Sequence, residues 1–280
     1  MTRHLIYIAD SRRMPELADE SVQLVVTSPP YWSLKDYGHP EQIGHGQEYG
    51  DYLDALREVL GECHRALCPG CRMAVNVGDQ YLRASEHGRY QVLPLGADLT
   101  ALGCGLGFDF MGSIIWRKLS TTRPSGGGKW MGSTYTPRDG QITYEHEYIL
   151  VFRKPGQAPR PEEEVREKSR LTKEQRTQWF RGVWADLPPE RQRGHEAMFP
   201  VELPRRLIKM YSFWGETVLD PFLGSGTTCL AAALEGRNCV GYEINREYAE
   251  TISQKLRPEW CRLAGPETEP CEVEFVTPDR

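Results

Sequence analysis

The chain has no apolar run of roughly eighteen residues, the length that a membrane-crossing helix requires. Its amino terminus, MTRHLIYIADSRRM, holds only a short apolar stretch that breaks at Asp10, unlike a secretory signal. A soluble protein of the cytoplasm, with no membrane partner, is expected. A disulfide framework is also missing: the eight cysteines are scattered over 280 residues and read as reduced thiols. Cys63, His64, Cys68 and Cys71 gather four possible metal ligands. Their C-x4-C-x2-C spacing has no partner pair downstream, and Cys63 and His64 fall inside a helical pattern, so no metal site is expected. Positive charge is scarce too, with a net charge of −5 and a pI of about 5.9. That balance counts against a general nucleic-acid binder, because phosphate contacts need Lys and Arg. Arg117 to Arg138 is the exception: Arg117, Lys118, Arg123, Lys129 and Arg138 stand there with no acidic residue between them, a local positive patch in an acidic chain.

What is present reads as alternating strands and helices. His4–Asp10 and Val22–Ser28 are nearly continuous apolar runs, the mark of strands covered on both faces. Asp51 to Leu67 carries Tyr52, Leu53, Leu56, Val59, Leu60, Cys63 and Leu67 at helical spacing behind an acidic start. Met73–Val77, Phe108–Trp116 and Tyr144–Phe152 read as further strands, with a helix near Val92–Leu102. Pro155 to Arg193, rich in Pro and charge, reads as a solvated connection with one charged helix. From Pro200 the order becomes helix to Phe213, strand Thr217–Leu219, a Gly-rich turn, helix Thr227–Glu235, strand Asn238–Tyr242 and helix Arg246–Leu256. The tail after Pro258 reads as irregular, and no internal repeat is visible.

Two strand ends carry the chemistry. Val218-Leu-Asp-Pro-Phe-Leu-Gly-Ser-Gly-Thr-Thr228 sets a carboxylate at a strand end, then two glycines, then a helix start that Thr227 or Thr228 can cap. Glu243 closes the following strand, where an acid can accept from both hydroxyls of a ribose. The pattern G-x-G-x-x-G is absent, and Asp220-Pro221-Phe222 fills the place where a pyrophosphate needs bare backbone. A nucleoside without phosphates fits better. S-adenosyl-L-methionine is such a ligand, its ammonium meeting Asp220 and its ribose Glu243, with Phe222, Gly224, Ser225, Gly226 and Thr227 forming the turn.

The other end is Thr27-Ser-Pro-Pro-Tyr-Trp32. Two prolines remove two amide donors, so the turn presents acceptors. An aromatic amino group has its lone pair delocalised into its ring. Two acceptors gripping its hydrogens favour the tetrahedral, nucleophilic nitrogen, and Ser28 through its hydroxyl and Pro29 through its carbonyl are assigned that role. Tyr31 would stack on a base flipped out of the helix. A C5-cytosine enzyme is disfavoured, because the only Pro-Cys pair, Pro270-Cys271, lies in the tail. His146 and His195 are read as structural.

On Ser28-Pro29-Pro30-Tyr31 followed by Asp220 to Thr228, the chain resembles the β-group amino-methyltransferases of DNA, a family of restriction-modification and orphan methylases. The resemblance runs from about Leu5 to Leu256 and implies an α/β, Rossmann-like S-adenosylmethionine-dependent methyltransferase fold with an inserted target-recognition region. It implies that Ser28, Pro29, Pro30 and Tyr31 are catalytic, that Phe199 and Pro200 help form the methionine pocket, and that Asp10 meets the adenine amino group. A turn-capping role is the alternative for Asp10. Serine before Pro-Pro-Tyr resembles the cytosine-N4 branch, with adenine-N6 as the second reading. A non-catalytic nucleic-acid-binding relative is the third, and the intact motifs count against it.

The expected organisation is a catalytic half over 1–117, a strand plus target-recognition insertion over 118–194, a cofactor half over 195–257 and an irregular tail over 258–280. Lys118 to Gln141, basic and Gly-rich with Trp130 inside it, suits phosphate contact. Trp32, Lys118, Arg123, Lys129 and Arg138 are the expected contacts to double-stranded DNA, and Trp179, Phe180 and Arg181 are read as further recognition surface. The family resemblance adds a cognate restriction endonuclease as an expected partner. Neither the recognition sequence nor the oligomeric state follows from composition.

Overall fold

The computed structural model describes residues 1–118, 138, 142, 144–188, 199–256 and 271–278. In chain order the elements are β1 (Thr2–Tyr7), β2 (Val22–Thr27), α1 (Tyr49–Ala66), β3 (Leu67–Val77), β4 (Gln80–Leu82), α2 (Ala84–His87), β5 (Gln91–Leu93) and α3 (Leu95–Gly105). There follow β6 (Asp109–Arg117), β7 (His146–Arg153), α4 (Glu163–Lys168), α5 (Lys173–Trp179), β8 (Val183–Trp184) and α6 (Glu202–Tyr211). The cofactor-side half closes with β9 (Thr217–Asp220), α7 (Thr227–Leu234), β10 (Asn238–Tyr242), α8 (Tyr248–Lys255) and β11 (Cys271–Val276).

Nine strands form one sheet in the order β11-β1-β10-β9-β2-β3-β7-β6-β8, while β4 and β5 pair separately. Every pairing in the large sheet is parallel except those of β7 with β3 and β6. The continuous apolarity of β2 has the expected cause: Leu24 and Val26 enter one core, Val22 and Val25 the other. On one face α1 buries Tyr52, Ala55, Leu56, Val59, Leu60, Cys63 and Ala66, a stripe at i, i+3 and i+4. On the opposite face α6 and α7 supply Leu203, Leu207, Ile208, Cys229, Ala231 and Ala232. The path β2-α1-β3 steps one way along the sheet and β9-α7-β10 steps the other. Their divergence opens a crevice at the carboxyl ends of β2 and β9, the place where such sheets hold ligands.

Five expectations are corrected. The tail is not wholly irregular, since Cys271–Val276 pairs in parallel with Thr2–Tyr7 as an edge strand. The connection after Pro155 holds two helices and β8 rather than one charged helix, and its Trp179 and Trp184 are buried against the sheet. Trp179 is therefore core, not recognition surface, although Phe180 and Arg181 beside it are exposed. The cysteines are not all thiols: Cys229 of α7 and Cys239 of β10 form a disulfide, Cα to Cα 5.4 Å. Finally, α7 is capped by Gly226 at φ 84° with no side-chain cap, so neither Thr227 nor Thr228 caps it. Among the described residues, no helix is long and apolar enough to cross a membrane.

Candidate active site

β2 and β9 are neighbours in the sheet and run in parallel, so the turn after Thr27 and the turn after Asp220 leave the same edge side by side. A bond crosses the seam, Thr27 Oγ1 donating to Asp220 Oδ1 at 2.7 Å. One cavity of about 660 Å³ opens there, within the range of roughly 300–1,000 Å³ usual for ligand sites. Its first end is lined by Ala9, Asp10, Phe199, Phe222, Gly224 and Glu243, its second by Ser28, Pro29, Pro30, Tyr31, Asn76 and Glu147.

At the first end, Glu243 emerges from β10 and accepts from Gly224 N with Oε2 and from Asn245 N with Oε1, each at 2.8 Å. Burial pushes its carboxyl up to about 7, and the nearby charge of Asp220 adds to this against those backbone donors. Gly224 and Gly226 take φ of 53° and 84°, left-handed values that suit glycine. Ser225 and Thr227 line the cavity, and Lys255 of α8 donates to both hydroxyls at 2.8 and 3.0 Å. Tyr37, Ile244 and Tyr248 complete this wall with largely apolar surface.

Asp220 departs from its expected place. It is buried and absent from the described lining. Oδ1 accepts from Thr27 and from Phe222 N, and Oδ2 accepts from Thr228 Oγ1 at 2.6 Å. Burial pushes it up to about 6 against those three donors. Behind the cavity wall its carboxylate braces the two turns through these protein donors. Asp10 does line the cavity, yet its carboxylate also caps its own turn through Arg12 N at 2.9 Å and pairs with the Arg12 guanidinium. Phe199 lines the cavity; Pro200 lies two residues before α6 instead, its carbonyl accepting from Leu203 N at 2.9 Å.

At the second end, Tyr52 of α1 donates to the Pro30 carbonyl at 2.8 Å and fixes the double-proline turn. The Tyr31 hydroxyl lies 3.3 Å from Ser28 Oγ, 3.0 Å from Asn76 Nδ2 and 3.1 Å from Glu147 Oε2. Burial, then the Glu147 charge, holds that phenol well above its ordinary range. Glu147 is buried, accepts from Asn76 Nδ2 at 2.8 Å and pairs with Lys118. Asn76 and Glu147 were not singled out from sequence. The available signal was a polar residue breaking an apolar run near a strand end. Asn76 stands second from the end of β3, and because β7 is antiparallel, Glu147 at its start reaches the same edge.

Trp32 does not face the cavity. Its indole N–H donates to Gln47 O at 2.9 Å and its half-exposed ring packs on Tyr49 and His87. Lys118 lines the cavity and Arg138 is exposed, while Arg123, Lys129 and His195 lie outside the described residues. His146 lines the cavity beside Tyr148, their rings 5.1 Å apart.

A doubly wound sheet with a nucleoside-sized cleft at its switch point, a ribose-compatible carboxylate on one side and an acceptor turn on the other, defines a Rossmann-like enzyme of the methyltransferase type. Residues 22–255 match the model of the N6/N4 DNA methylases, and the chain belongs to that family. It is 38% identical over 281 residues to the Type II methyltransferase M.MthZI of Methanothermobacter thermautotrophicus, covering 91% of this chain and 77% of that one. To M.MjaI of Methanocaldococcus jannaschii it is 35% identical, covering 91% of each. A solved Thermus thermophilus protein, assigned as a DNA modification methylase and complexed with S-adenosyl-L-methionine, superposes with a TM-score of 0.78 at 37% identity over 99% of both chains.

Proposed function

We propose that this protein is a site-specific DNA methyltransferase that moves a methyl group from S-adenosyl-L-methionine to the exocyclic N4 of a cytosine flipped out of double-stranded DNA. The observation that carries this reading is the meeting of the Ser28–Tyr31 turn and the Gly224–Glu243 end in one cavity across the β2–β9 seam.

The first end fits the donor. Glu243 offers remaining lone pairs to a ribose diol, Tyr37, Ile244 and Tyr248 offer surface to an adenine ring, and Phe199 and Phe222 offer it to a methionine chain. When bound, S-adenosyl-L-methionine supplies an electrophilic methyl group on a cationic sulfur. The chain's own work lies at the second end. Ser28 Oγ and the Pro29 carbonyl accept from the two amino hydrogens and hold the nitrogen's lone pair out of the ring, while Tyr31 covers the base face. After transfer the surplus proton leaves to water. Serine at position 28 supports cytosine as the target. Lys118, Arg138 and the basic stretch around Arg123 and Lys129 supply phosphate contacts. A cognate restriction endonuclease, and residence in the cytoplasm beside DNA, accompany this reading.

Digesting mixed DNA after incubation with labelled S-adenosyl-L-methionine is expected to yield labelled N4-methylcytosine. Labelled N6-methyladenine overturns the base, and label in RNA or protein alone overturns the substrate class.

Cofactor affinity should depend on pH through Glu243. The ribose hydroxyls donate, so they favour the ionised carboxylate, and with a carboxyl at about 7 that form is lost as pH falls. The dissociation constant is therefore expected to rise below pH 7, approaching about tenfold per pH unit. A Glu243→Gln variant should lose this dependence. Equal slopes for both proteins between pH 8 and 6 would show that Glu243 does not carry the ribose.

A further inference from the structure

We infer that Glu147 is a positioning residue that fixes the direction of the hydrogen bonds reaching Ser28, so that Ser28 meets the substrate amino group with lone pairs rather than with its proton. The inference rests on the proposed reading of Ser28 as an acceptor and explains what enforces it.

A hydroxyl can donate or accept, and nothing in a serine alone chooses between the two. The choice is made two residues away in space. Glu147, paired with the Lys118 ammonium, is a carboxylate and has only lone pairs to offer. Its partner at 3.1 Å, the Tyr31 hydroxyl, must therefore spend its single proton on Oε2. The Asn76 amide faces the same carboxylate at 2.8 Å, so it turns its NH2 inward, and that group also reaches the Tyr31 oxygen at 3.0 Å. With its proton committed, the Tyr31 oxygen can only accept from Ser28 Oγ, 3.3 Å away. Ser28 has one proton, which points to Tyr31, and its lone pairs are left for the cavity that it lines.

The arrangement is built into the fold. Antiparallel β7 brings Glu147 to the edge where β2 and β3 end. Gly78 makes room for it, since a Cβ there would lie 3.1 Å from Glu147 Cγ. Because the side chains of Glu147, Asn76, Tyr31 and Ser28 are buried or half-buried, water competes weakly for their bonds, and the direction of one bond dictates the next.

Glu147→Gln keeps the shape and reverses the direction. Lys118 claims the new carbonyl and the new NH2 donates to Tyr31 and to an Asn76 amide that has turned its carbonyl inward; the Tyr31 proton, no longer held by a carboxylate, is then shared between Asn76 and Ser28, and Ser28 is released to turn a proton toward the substrate's own N–H. Turnover is expected to fall by about 10²-fold, a loss like that of a misdirected group in a charge-stabilising site, with cofactor affinity unchanged. Adding Tyr31→Phe keeps the stacking ring but cuts the reversed link, so the double variant should turn over about tenfold faster than Glu147→Gln alone. Such a rescue would not follow from loss of a merely structural bond. A double variant slower than Glu147→Gln, or a Glu147→Gln protein at wild-type rate, overturns the inference. If Glu147→Gln fails to bind cofactor, Glu147→Asp is compared with Glu147→Asn, of which only Asp is acceptor-only; equal rates overturn the inference there. Undiminished turnover in Ser28→Ala would instead remove the acceptor reading on which the inference stands.

Discussion

Ser28→Ala is expected to lower kcat by about 10²- to 10³-fold, the range found when one preorganised polar group is removed from a reacting centre. The dissociation constant for S-adenosyl-L-methionine should stay within about twofold of wild type, a change of under about 0.5 kcal/mol. The split follows from position. Ser28 belongs to the turn after β2 and bonds to Tyr31, and none of its hydrogen bonds reaches the turn that carries Glu243. With alanine, one amino hydrogen loses its acceptor and the nitrogen lone pair relaxes toward the ring, which raises the barrier without loosening the cofactor. Single-turnover rates at saturating cofactor, set beside equilibrium cofactor titrations, measure the two quantities separately. A variant whose loss lies wholly in cofactor affinity would mean that the functions of the two strand ends have been exchanged.

Glu243→Ala should give the opposite split. Two charge-assisted hydrogen bonds to a ribose, each worth roughly 1.5–3 kcal/mol, amount to a loss of at least about 10²-fold in cofactor affinity. The same substitution strips Gly224 N and Asn245 N of their acceptor, so the Gly-rich turn loosens as well. At saturating cofactor, turnover is expected within about fivefold of wild type, because Glu243 faces neither the amino group nor Tyr31. Calorimetric titration against pre-steady-state rates decides the matter, and an unchanged dissociation constant would rule out the ribose contact.

Much of this arrangement was legible from residues alone, for identifiable reasons. β2, β9 and β10 are short, almost purely apolar and punctuated by Pro, Gly or an acid at their ends, so hydrophobic burial alone defines them. Both functional turns are contiguous in sequence, and the local chemistry of Pro-Pro and of Gly-Ser-Gly shows there. What escaped depends on distant partners. In Cys271–Val276 apolar and charged residues alternate on a half-exposed edge, which beside several prolines looks like tail and becomes a strand only because Thr2–Tyr7 lies next to it. Trp179 and Trp184 sit in a charged stretch and are core only because β8 docks on β6. Glu147 acquires its meaning from Tyr31, 116 positions away, and Asp220 from Thr27, 193 away. No local pattern encodes such pairs.

The bond between Thr27 and Asp220 has one more implication. It joins the two turns beneath the cavity floor, where both residues are buried. If the two turns hold methyl source and methyl destination as proposed, the spacing between them is inherited from the pairing of β2 with β9. Folding thereby fixes the relative placement of the two binding turns in advance, so the binding of each reactant also sets its orientation toward the other.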